Sequence, residues 1–259
     1  MKSSMYMSPR IVIQFPTSAN HDDSARISCV ANAIGCEQFE AAGAVEDFLS
    51  HENSQGLISR DLAEDPNRAV HVTAWYLTGF VDCFDADGLD GAANARLIRL
   101  IERAGQQGVE RISFAPAQLA DLPGATATYA KALNRTAAML ATVMCHAERC
   151  GVCLCLRPAT GRFLTSPVEL RELVRDVNSS MVGIDLPMEL PAGVPGWSDW
   201  FGTLEPLIRC VRVQAGMTES ADAVAANVDG VLELIRGISA PRRYEGEIVV
   251  SLDTGDSWQ

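Results

Sequence analysis

The chain has 259 residues, a formal net charge of −12 and an isoelectric point near 4.8, a balance that argues against a nucleic-acid partner. Apolar residues make up 47% and charged residues 21%, the composition of an ordinary globular protein long enough for one α/β barrel. No apolar run approaches a membrane span, and the opening MKSSMYMSPR carries no apolar segment, so neither a membrane nor a signal peptide is expected and the placement is cytoplasmic.

Residues 1–9 read as an N-terminal arm and 10–259 as one domain. In that domain short apolar runs alternate with longer amphipathic segments. Strands are predicted at RIVIQF (10–15), EQFEA (37–41), AVHVTAWY (69–76), ERISFA (110–115), VCLCLR (152–157), MVGID (181–185), CVRVQ (210–214) and EIVVSL (247–252). Helices are predicted between them. DSARISCVANAIG and LDGAANARLIRLIERAGQQG each end on the glycine that a helix C-terminus prefers. TATYAKALNRTAAMLATVMCHAERCG follows, then SPVELRELVRDV with Ser166 as N-cap and Pro167 at the first helical position. WSDWFGTLEPLIR and SADAVAANVDGVLELIRGI complete the set.

Alternation at this period calls for parallel strands and right-handed crossovers. An open doubly wound sheet would carry a glycine-rich first turn, but that turn reads FPTSANHDDS, so a TIM (β/α)8-type barrel is predicted. Only DTGDSWQ follows the last strand, so the final outer helix is expected to be missing. The arm, or a second copy in a homo-oligomer, would then cover the exposed apolar face.

Several lesser features have plain readings. Cys145, Cys150, Cys153 and Cys155 crowd beside His146, but only Cys150 and Cys153 have zinc-like spacing, and small buried thiols need no metal. Asp85, Asp87 and Asp90 resemble a calcium loop without its glutamate, and Asp90 reads better as a helix cap. QAGMTES suits a helix entry capped by Ser220 better than a phosphate cradle. Trp197 and Trp200 either stack on a ligand at the barrel mouth or pack their own loop. His21, His51 and His71 are scattered, and His71 is expected to be packed.

A barrel site lies at the C-terminal strand ends, among side chains that point inward there. The period of two turns Leu154, Leu156, Val182, Ile184, Val211, Val213, Ile248 and Val250 outward. It turns Cys153, Cys155, Arg157, Gly183, Asp185, Arg212, Gln214, Ser251 and Asp253 inward, and the second strand adds Glu40. The candidate substrate-binding ring is therefore Glu40, Arg157, Asp185, Arg212 and Ser251.

At this point the chain resembles the xylose isomerase-like TIM barrels, which include sugar phosphate isomerases and epimerases. The carriers are AIGCEQFEAA, QQGVERISFAPA, ERCGVCLCLRPATGRFLTSP, MVGIDLPM, IRCVRVQ and RYEGEIVVSL, in that order. The resemblance implies one divalent metal held by Glu, Asp, His and Glu at the ends of strands five to eight. Those positions fall here on Arg157, Asp185, Arg212 and Ser251, and a substrate-touching His falls on Met188. Two guanidiniums against one carboxylate would repel a divalent cation by on the order of 4 kcal/mol per close pair, and they offer it no oxygen. No metal cofactor is therefore expected. Asp185 would lie salt-bridged between Arg157 and Arg212, as part either of a structural ion-pair network or of a pocket for a small anion. Three functions remain open: carbohydrate isomerase or epimerase chemistry, a non-catalytic barrel for an anionic or sugar-like ligand or a protein partner, and a metal-free enzyme. The candidate catalytic carboxylates are Glu40, Asp185 and Asp253.

Overall fold

The computed structural model describes residues 9–16, 21–50, 71–78, 91–116, 129–158, 163–189, 196–216, 220–239 and 244–253. Eight strands close into one barrel in chain order, each parallel to its neighbours. They are β1 (Arg10–Pro16), β2 (Gln38–Ala44), β3 (His71–Thr78), β4 (Arg111–Phe114), β5 (Cys153–Leu156), β6 (Val182–Pro187), β7 (Ile208–Gly216) and β8 (Glu247–Asp253). Among the described residues the helices are α1 (His21–Ile34), α2 (Val45–Ser50), α3 (Gly91–Gln106), α4 (Tyr129–Cys150), α5 (Pro167–Val177), α6 (Trp197–Leu204) and α7 (Ala221–Ser239).

The helix ends follow local chemistry. Gly35 after α1 and Gly108 after α3 take left-handed φ of 66° and 73°, where a side chain would be strained. Ser166 and Pro167 start α5 as expected, although the Ser166 hydroxyl makes no capping bond. Ser220 does cap α7: its Oγ accepts from the Ala223 N–H at 3.1 Å.

The main core lies between strands and helices. Leu154, Leu156, Val182, Ile184, Val211, Val213, Ile248 and Val250 all join it, as their alternation requires. One local expectation fails. His71 is exposed at the start of β3 rather than packed, while Trp75 turns outward and stacks on Phe48 at 4.8 Å. Of the two readings of Trp197 and Trp200, packing is the one observed, and both sit on α6. Trp200 is wholly buried, and Trp197 donates its indole N–H to the Pro187 carbonyl at 3.2 Å and packs on Phe201. The aspartates of 85–90, His51, and most of the N-terminal arm lie outside the described residues.

The outer face of β8 is not bare. Ile248 and Val250 are fully buried, and α1 packs directly against α7 across the place where a helix after β8 would stand. Burial therefore requires no second subunit. Replacing Ile248 by Ala should lower stability by about 3 kcal/mol in urea unfolding, the cost of a large aliphatic group lost from a closed core. An exposed face would register almost nothing.

Candidate functional site

The barrel interior contains little apolar material. Val12, Cys210 and Val249 form its small hydrophobic cluster, and the other buried interior positions are largely polar. Gln14, Glu40, Arg111, Ser113, Asp185, Arg212, Glu247 and Ser251 are all buried. Two register shifts interrupt the strand ladder, one between Phe39 and Glu40 and one between Ile184 and Asp185. Each therefore adjoins a buried carboxylate, and bulges commonly serve to re-aim side chains in this way.

These side chains form a continuous run of alternating charge. At the N-terminal face, Arg10 Nη2 meets Glu247 Oε1 at 2.7 Å, and Glu247 Oε2 lies 2.9 Å from Arg111 Nη2. Arg111 Nη1 donates to Glu40 Oε1 at 2.7 Å and to Ser113 Oγ at 2.6 Å. The other oxygen of Glu40 accepts from Arg212 Nη1 at 2.7 Å. Arg212 then forks onto Asp185, with Nε to Oδ1 at 3.3 Å and Nη2 to Oδ2 at 2.5 Å. Three arginines and three carboxylates thus balance, in the pairing that buried charges demand.

The expected Arg157–Asp185–Arg212 network needs correcting. Asp185 pairs with Arg212 alone, and Arg212 continues to Glu40. Arg157 instead donates to the Tyr76 hydroxyl. The guanidinium carbons of Arg157 and Arg212 lie 5.4 and 4.6 Å from the centroid of the Tyr76 ring, whose π face favours cations. Arg157 is half-buried, while Glu40, Asp185, Arg212 and Ser251 are buried deeper. Ser251 is in register with Gln14 on β1, and Gln14 with Glu40 on β2. Both polar atoms of the Gln14 amide are buried without a hydrogen-bond partner, although the residue is 2% exposed. Asp253 ends β8 opposite Gly216. Met188, at the expected histidine position, packs against the core and bonds through its backbone N–H to the Arg212 carbonyl at 2.8 Å.

The sequence reading missed Arg111, Glu247, Gln14 and Tyr76. Arg111 and Ser113 obey the same alternation that placed Asp185 and Arg212, with Ile112 and Phe114 in the outer core. The cysteines do not gather: Cys145 is exposed on α4 while Cys155 is buried inside the barrel.

Burial alone would raise the Asp185 carboxyl, but the charge and hydrogen bonds of Arg212, with Arg111 and Arg157 further off, hold it down to about 2. Arg212 is likewise disfavoured by burial, and Asp185 and Glu40 keep its pKa well above the usual value. An unfolded aspartate titrates near ~3.9, so the folded carboxyl binds its proton less readily. Its stabilisation is complete above that value and lost as pH falls towards about 2. The stability gap between wild type and Asp185→Asn should therefore be about 2 kcal/mol at pH 7 and shrink steadily between pH ~4 and ~2 in urea melts. Arg212→Met, which strands buried Asp185 and leaves Glu40 with Arg111 alone, should cost roughly 3–5 kcal/mol at neutral pH.

No curated protein sequence matches the chain. Among solved structures, D-psicose 3-epimerase from Clostridium cellulolyticum H10, determined with D-tagatose, superposes at a TM-score of 0.66 and 16% identity over 93% of this chain and 84% of that one. The apo 3-keto-D-glucoside 4-epimerase from E. coli gives 0.62 and 13% over 96% and 94%. A family 2 AP endonuclease from Brucella melitensis gives 0.65 and 13% over 94% and 92%. At such identities these likenesses carry the fold and not an activity. The sequence model described as xylose isomerase-like TIM barrel matches residues 30–186, more than half of the chain, and the protein belongs to that family.

Proposed function

We propose that this barrel works without the divalent metal of its family and binds a small carbohydrate-like anion, a carboxylate or phosphate, at its C-terminal mouth. The observation that carries this reading is that all four oxygens of Glu40 and Asp185 already accept hydrogen bonds from arginine. A divalent ion needs several free oxygens, and guanidinium supplies none. The residues at the metal positions, Arg157, Arg212 and Ser251 with Asp185, therefore do not fit such an ion. The same pairing holds the Asp185 carboxyl below its usual range and makes it a poor base, which favours binding over proton transfer at carbon.

Two features favour a ligand at the mouth. Among the described residues Arg157 rests on the Tyr76 hydroxyl and pairs with no carboxylate, which leaves its charge for an incoming anion. The orphaned amide of Gln14 gains from any partner that satisfies it, since a buried unpaired polar group costs about 1–3 kcal/mol. The structural relative solved with D-tagatose is consistent with a polyhydroxylated ligand carrying the anion.

Mass spectrometry after incubation with manganese, magnesium, cobalt and zinc, and removal of the excess, should find no stoichiometric metal. About one manganese or cobalt per chain would overturn the metal-free reading. In EDTA, phosphate, citrate or glucose 6-phosphate should raise the melting temperature of the wild type, and Arg157→Glu should abolish that rise. If none of the three stabilises the wild type, the anion pocket is wrong and the arginines serve the fold alone.

A further inference from the structure

The N-terminal face of the barrel, opposite the mouth, holds a cavity of about 670 Å³ with the Cys153 thiol in its wall. From this cavity we infer that Cys153 is a reactive thiol and a site of mixed-disulfide formation with a small zwitterionic disulfide.

The surroundings of the thiol are built. Cys153 begins β5 facing the barrel axis, half-buried, with its Sγ 3.8 Å from that of Cys155. Arg209 is the extra residue of β7 at the register shift that pairs Ile184 with Ile208 but Asp185 with Cys210. Its stem crosses the inward face of Gly183, where an added Cβ would lie 2.2 Å from Arg209 Cγ. Only glycine leaves that path open, so the bulge and the glycine together bring a guanidinium to the thiol. Arg209 also donates to the Ser180 carbonyl at 2.9 Å, which fixes it there.

The other charges facing the cavity decide what it accepts. Arg10 is shared between Glu110 and Glu247, and Arg111 between Glu247 and Glu40, so those groups are largely spent on one another. Among the described residues three charged groups remain for a ligand. Arg209 has its charge, Glu205 Oε1 is buried without a partner, and Glu245 lines the wall. One guanidinium and two carboxylates suit a small molecule that carries a carboxylate and an ammonium group.

The chemistry is thiol–disulfide exchange. Hydrogen bonding from Cys155, opposed by burial and reinforced by Arg209 and Arg111, draws the Cys153 pKa below its usual value, while burial raises that of Cys155. Those directions favour Cys155 as the S–H donor of the pair and Cys153 as the sulfur that loses its proton first. The Cys153 sulfur attacks one sulfur of the incoming disulfide and forms a new S–S bond. The old S–S bond breaks, and its other half leaves as a thiolate that takes a proton from water. Cys153 is oxidised and the departing thiol reduced. Burial disfavours the Cys155 thiolate that would displace the adduct, which favours persistence of the mixed disulfide.

The test uses the reduced full-length protein and oxidised glutathione, read by peptide mapping over time. Cys153 should gain the glutathione adduct about 10-fold faster at pH 7 than the exposed Cys29 and Cys145, with a rate profile whose midpoint lies below the ordinary thiol value. Arg209→Gln should slow Cys153 several-fold and move its profile to higher pH, leaving Cys145 unchanged. Equal or faster reaction at Cys29 or Cys145, or no adduct at Cys153 in the folded protein, overturns the inference. So does an Arg209→Gln protein that melts normally and reacts like the wild type. Should that variant fail to fold, the wild-type pH profile decides.

Discussion

Everything inside this barrel depends on one arrangement, the carboxylate of Glu40 gripped from both sides by Arg111 and Arg212. A parallel barrel surrounds its axis with main chain whose hydrogen bonds are spent on neighbouring strands, so an ion placed there finds no water to solvate it. Glu40 has no exposed surface. Each of its oxygens meets a guanidinium, the pairing that a buried carboxylate requires. Each guanidinium in turn reaches a second carboxylate, Glu247 below and Asp185 above. Removing one member leaves its neighbours uncompensated, so the six charges behave as one unit rather than as separate bridges.

That unit divides the barrel into two ends with different chemistry. At the C-terminal end lie the polar groups the charge run does not use: the Gln14 amide, Ser251, and Arg157 against Tyr76. At the N-terminal end the run finishes on Arg10, beside a cavity whose guanidinium comes from a strand bulge. TIM barrels ordinarily keep their chemistry at the first end and their stability at the second. Here the polar axis is satisfied from within, and both ends keep groups with something left to bind.

The sequence made the barrel legible because alternation survives tertiary detail. In β5 to β8 the outward residues are aliphatic and most inward ones small or polar, so Asp185 and Arg212 could be placed inside without coordinates. Partner choice was another matter. An arginine stem reaches across several strands, so the pairing of Arg212 with Glu40 rather than with Asp185 alone depends on the barrel's closure and not on spacing. Arg111 was missed although it alternates correctly, because it starts β4, away from the C-terminal strand ends where the candidate ring was sought. The bulges at Glu40/Thr73 and Asp185/Arg209 leave no mark in a single sequence, yet they shape both ends. Nor was the cover over β8 legible, since it comes from contact between the helices first and last in the chain, α1 and α7.

A guanidinium and a divalent cation carry charge in different ways, and the difference limits what each can support. A metal binds several oxygens at once, exchanges water for substrate and lowers the pKa of what it holds. A guanidinium donates along fixed directions in one plane, accepts nothing, and does not titrate near neutrality. Where arginine takes up the carboxylates, as on Glu40 and Asp185, the interior keeps its charge balance but loses open coordination positions. What arginine does well is hold a planar anion by two N–H bonds at once. On the reading proposed above, recognition of an anion is therefore the function most compatible with this interior. Arg157 is suited to it because, among the described residues, it meets the hydroxyl and ring of Tyr76 rather than a carboxylate.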